Sequence, residues 1–133
     1  MVYVFISDDN IKEREYLLSK EMRTEVIKYT YKYELDNDKN LEFTYFPKSN
    51  TLNFGPDKFE ETKGAEFKID TISDVKFKKF HSTNTATDVT EPIFFNEDYG
   101  VLAIGNVMAP TIVLLPYKSD LKTAKIIFEE TLR

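Results

Sequence analysis

The chain has 133 residues, with no Cys, no Trp and a formal net charge of −5 from 18 basic and 23 acidic residues. That length is one domain's worth, residues 1–133, and a domain of this size buries roughly two thirds of its unfolded surface without a staple; the lack of Cys excludes disulfides, thiolate nucleophiles and Cys-ligated zinc. The acidic balance argues against a nucleic-acid partner, whose phosphates call for a basic face, and no stretch approaches the roughly 20 apolar residues of a membrane span.

Eleven Phe and eight Tyr lean the composition towards β structure, because aromatic side chains suit a half-buried pleated surface. Residues 2–6 read as a short strand; they are too short for a signal-peptide core, and Asp8 and Asp9 follow directly. The compartment stays open. Ser7, Asp8, Asp9 and Asn10 carry helix-capping side chains, and Ile11, Leu18 and Met22 fall on one thin helical stripe. The expectation is a surface helix over residues 10–23, its dipole complemented by the two carboxylates.

Residues 25–35 show the clearest alternation: Ile27, Tyr29, Tyr31, Tyr33 and Leu35 against Lys28, Thr30, Lys32 and Glu34. A turn over 36–40 and a second strand over 41–46 complete a hairpin, and 51–54 adds a short third strand. Residues 55–64 read as a polar loop around Pro56, anchored by Phe59. Strands are expected over 65–72 and 74–81, then a mobile loop over 82–90, rich in Thr, Ser, Asn and Asp. Residues 92–116 hold almost every long apolar run, punctuated at strand-length intervals, so the core is placed there. Val101, Leu102, Ile104, Val113 and Leu114 are its expected members. After Pro116, Ser119 caps a last helix, with Asp120 in its first turn and Leu121, Ala124, Phe128 and Leu132 on one face. The fold class is therefore α+β: a largely antiparallel meander of six to eight strands, with one N-terminal and one C-terminal helix.

The chemistry-bearing residues are sparse. Val4 to Asn10 resembles the first strand and acidic pair of response-regulator receiver domains, and Lys118 resembles their late lysine. That resemblance implies magnesium at Asp8 and Asp9 in a doubly wound fold. Residues 25–82 read as a meander instead, and helix capping accounts for the same acids. Asp36, Asp38 and Asn40 open like a calcium loop, but Leu41 stands where Gly is needed and Pro47 where a bidentate Glu is needed. A turn explains them. Pairs such as Glu60-Glu61, Glu97-Asp98 and Glu129-Glu130 arise by chance among so many acids and read as solvated surface. Lys76, Lys78 and Lys79 interleave with Phe77 and Phe80, which fits a half-buried strand as well as a stacking surface for single-stranded nucleic acid.

His81 is the only histidine, and no nucleophile-elbow pattern accompanies it. The least ordinary feature is the Tyr row: Tyr29, Tyr31 and Tyr33, joined by Tyr45 from the next strand, either as a core face with hydroxyls at its rim or as a binding surface. The functional expectation is a non-catalytic binding or protein-interaction module, with no cofactor, no metal and no catalytic residue. Its partner would be another protein or a small ligand. The alternative is a small enzyme or ligand carrier with a cleft beside the sheet, using His81 and the Tyr row.

Overall fold

In the computed structural model, residues 1–83, 90–106 and 110–132 are described, the side chain of Glu91 aside. They form one eleven-stranded antiparallel sheet in the order β2-β1-β11-β10-β9-β8-β7-β6-β5-β4-β3. The strands are β1 (Val2–Phe5), β2 (Ile11–Arg14), β3 (Leu17–Met22), β4 (Ile27–Lys32), β5 (Leu41–Phe46), β6 (Thr51–Phe54), β7 (Asp57–Phe67), β8 (Phe77–Ser82), β9 (Thr90–Asn96), β10 (Gly100–Asn106) and β11 (Thr111–Leu114). From β3 to β11 the chain is an uninterrupted meander. β1 then pairs back onto β11, and β2 lies beyond β1.

The sheet curls into a half-barrel, so its concave face packs on itself. Tyr29 of β4 meets Phe95 of β9 edge to face at 5.3 Å between ring centres, and Tyr45 of β5 lies 4.9 Å from the same ring. Ile27, Phe43, Leu52, Phe59, Phe80, Ile93, Val101 and Ile104 complete this inner core. The convex face is apolar mainly over β1 and β8–β11, with Ile11 of β2 and Phe67 of β7 at its margins, and helix α1 (Leu121–Ile127) packs on it together with Ile69 and Ile72. Ala124 and Ile127 are buried against Leu102, Ala103 and Val113, while Phe128 stacks on Phe5 at 4.4 Å. The helix runs on as a π turn over Phe128–Leu132.

The five expected core residues are all buried, none more than 3% exposed. The hairpin of residues 25–46 is present as β4 and β5, with Ile27 opposite Tyr45 and Tyr29 opposite Phe43. Tyr33 and Leu35 lie past the end of β4, and Leu35 is exposed.

The N-terminal helix is replaced by strands, and the count of six to eight strands rises to eleven. Residues 7–10 make the β1–β2 turn, where the Asn10 N–H donates to Ser7 Oγ at 3.1 Å. Ser, Asp and Asn serve a turn as readily as a helix cap. The thin stripe of residues 10–23 offers little apolar surface to a helix, whereas strand pairing satisfies its backbone on β1 and β4; tertiary pairing overrides propensity. Residues 55–64 are not a loop either, because β7 begins at Asp57 and pairs with β6 and β8. Only Phe59 needs an apolar environment there, so the strand carries almost no hydrophobic signal. The C-terminal helix stands, but Asp120 rather than Ser119 is its cap, accepting from the Thr123 N–H at 3.0 Å. Most of the loop expected over 82–90 lies outside the described residues. Among the described residues no helix is long and apolar enough to cross a membrane.

Candidate functional site

The half-barrel is left open where its two edge strands meet. β2 and β3 are consecutive in the chain, joined only by Glu15 and Tyr16, yet they lie at opposite ends of the sheet order. The bend carries the chain from one edge of the sheet to the other. Beside it lies a cavity of about 460 Å³. Leu17 and Leu18 of β3 bound it on one side, and Met1, Leu115 and Tyr117 bound it on the other. Tyr31, Tyr99, Val101 and Leu114 form its deeper lining.

The polar groups in this lining are largely committed. The Tyr31 hydroxyl accepts from the Val101 N–H at 2.8 Å, and burial pushes its pKa up to about 12. Tyr99 donates to the Leu114 carbonyl at 2.6 Å, and burial raises its pKa as well. Met1 and Leu115 exchange backbone hydrogen bonds, which extends the β1–β11 ladder along the wall. Two carboxylates remain, Glu15 at the bend and Asp98 in the β9–β10 turn. Neither forms a salt bridge among the described residues. The cavity thus has apolar walls and a rim carrying two carboxylates, Glu15 near the Met1 ammonium, without a nucleophile–base pair.

Gly100 sets the depth of the fold here. Its φ is +97°, and a Cβ would stand 2.5 Å from the Tyr31 hydroxyl and 3.1 Å from the Tyr29 ring. Only Gly lets β10 pass this close under the tyrosines.

The Tyr row is divided between roles. Tyr29 is buried, and its hydroxyl donates to the Glu97 carbonyl. Tyr31 reaches the mouth cavity. Tyr33 stacks on Tyr16 at 5.2 Å, with the Arg14 guanidinium 5.7 Å over its ring. Tyr45 donates to Asn50 Oδ1 at 2.9 Å, and Asn50 in turn donates to Glu61 at 2.6 Å. His81 is not brought to these tyrosines. It stands opposite Glu60 on the convex face, with Nδ1 hydrogen-bonded to the Thr62 hydroxyl at 2.8 Å. A hydroxyl–imidazole pair is one element of nucleophilic catalysis, which also needs an orienting group and an oxyanion hole.

Asp36 accepts from the Asp38 N–H at 3.0 Å, and Asn40 Oδ1 accepts from the Tyr33 N–H at 2.8 Å, so the acidic turn of residues 36–40 is closed by its own side chains. Among the described residues no group of three or more His, Cys, Asp or Glu side chains could hold a metal ion. The mouth cavity was not visible in the sequence, because its lining comes from chain segments far apart. Its one local signal is Leu17-Leu18 flanked by charge, which also fits a helix stripe.

No protein-family model, no curated protein and no solved structure matches this chain.

Proposed function

We propose that this chain is a non-catalytic binding or protein-interaction module whose mouth cavity takes an apolar group of its partner. The supporting observation is the rim: Leu17, Leu18 and Tyr117 are 59%, 49% and 75% exposed around a cavity whose walls are already apolar. Its volume falls within the usual range of small-ligand and side-chain sites, roughly 300–1,000 Å³. Exposed apolar side chains gathered around a concavity mark contact surfaces more often than scattered ones do.

The test is a titration with a neutral solvatochromic dye such as Nile red, followed by amide chemical shifts. One saturable site is expected, with the shifts centred on Leu18, Tyr31, Val101 and Tyr117. Leu17→Lys should weaken binding by about tenfold, equivalent to ~1.4 kcal/mol. Absence of a saturable site would overturn the reading. Shifts gathered around His81 and Thr62 would favour the enzyme or carrier alternative.

A further inference from the structure

The two sheet edges are not equivalent. β2 is four residues long and carries Lys12, Glu13 and Arg14, the charged guard that natural edges use against pairing. β3 is six residues long, exposed throughout, and carries Leu17, Leu18 and Met22. Its one inward-side charge, Lys20, is drawn off the edge: Nζ donates to the Glu97 carbonyl at 3.0 Å and lies 5.7 Å over the Tyr29 ring.

The phase of the β3–β4 ladder fixes where the free backbone points. The Arg23 N–H donates to the Val26 carbonyl at 2.9 Å, so this pair is a hydrogen-bonded one. Bonded and non-bonded pairs alternate in an antiparallel ladder. Met22↔Ile27, Lys20↔Tyr29 and Leu18↔Tyr31 are therefore non-bonded pairs. The N–H and C=O groups of Leu18, Lys20 and Met22 aim at the open side, and the same three side chains share the concave face with Tyr29 and Tyr31.

A second copy is a poor occupant. Two-fold pairing of β3 with itself must keep like faces together, and centring it on Lys20 or on Glu21 opposes like charges. Centring on Ser19 sets Lys20 against Leu18 and Glu21 against Leu17. At the Leu17–Leu18 end the cavity presents Asp98 without an ion pair and Glu15 near the Met1 ammonium, a rim with more negative than positive charge that complements a basic residue.

We infer that β3 is a strand-addition edge that takes an extended segment of another protein, with apolar side chains at alternate positions and a Lys or Arg meeting Glu15 and Asp98. Main-chain hydrogen bonds to Leu18, Lys20 and Met22 hold the segment, and its apolar residues fill the mouth cavity. The inference rests on the binding-module reading above and deepens it.

The probe is a pool of ten-residue peptides with randomised Val, Leu, Ile, Phe or Tyr at alternate positions and Lys, Ser or Thr between them. Amide hydrogen exchange of the full chain is read with and without the pool. Protection of Leu18, Lys20 and Met22 should rise by about tenfold or more, as amides that face solvent in the free chain become hydrogen-bonded to the added strand. The same pool N-methylated at alternate amides should give no protection in one of its two phasings. Glu15→Gln with Asp98→Asn should reduce protection by the basic pool but not by a pool with Lys replaced by Gln. No protection of these amides by either pool overturns the proposal. If the dye still saturates the mouth cavity in that case, the binding-module reading survives; if it does not, both fall. A dimer that protects the same amides without peptide would assign the edge to a second copy and overturn the proposal.

Discussion

Strands β9–β11 and β1 are packed on both faces, whereas β4 and β5 have one packed face and one wet face, and β3 has neither face packed. Every residue of β10 but the last is buried, while β4 alternates buried and partly exposed positions and β3 is exposed throughout. The difference follows from the convex apolar cluster, which α1 and the segment with Ile69 and Ile72 cover over the first group. Stability is therefore concentrated in one leaf, and the other leaf grades outward to an edge that contributes little to it. Such a gradient lets a surface be remodelled by a partner without opening the core.

The comparison is sharpened first by Leu102→Ala. Leu102 is fully buried under α1, and its truncation should cost about 2–5 kcal/mol in denaturant melts, the usual transfer-plus-cavity penalty. Gly100→Ala comes next, at roughly 1–3 kcal/mol, because the added methyl meets the Tyr31 hydroxyl at a φ that disfavours any side chain.

Tyr31→Phe removes the acceptor of the buried Val101 N–H and should cost about 1–3 kcal/mol in the same melts. Tyr31 also gives a pH signature. Its folded pKa is raised to about 12, above an unfolded value near 10, and burial raises Tyr29 and Tyr99 in the same direction. The stability from neutral tyrosines is complete below the unfolded value and is lost as pH rises through the folded one. Denaturation midpoints should hold up to about pH 10 and fall towards pH 12, less steeply in Tyr31→Phe than in the parent chain. The smallest effect belongs to the edge: Leu17→Ala and Leu18→Ala should change stability by no more than about 0.5 kcal/mol, while weakening dye binding at the mouth.

The same gradient explains what could be read in the sequence. The doubly packed strands write themselves as continuous apolar runs, and Val101, Leu102, Ile104, Val113 and Leu114 are recognisable as core on that ground. The half-packed hairpin writes itself as alternation, and Ile27, Tyr29 and Tyr31 sit on the inner face as the period of two requires. The edge writes almost nothing. β2 and β3 are charged and exposed, so their pairing partners rather than their own side chains decide their conformation. The first part of β7, residues 57–64, is opaque for the same reason, with Phe59 alone demanding burial there. The mouth cavity is a property of the curled sheet: Glu15, Tyr31, Asp98 and Tyr117 come from chain segments far apart and meet only where its two edges approach.

Residue-resolved amide exchange on the isolated chain tests the account most directly. Amides of β10 should exchange only with global unfolding, while those of Leu18, Lys20 and Met22 should exchange within the dead time of the measurement, as expected of groups aimed at an open edge. Protection of those three β3 amides at the level of β10, in a monomer without partner, would mean that the edge is already occupied. It would contradict both the open mouth and the division of the sheet into a stable leaf and a receptive one.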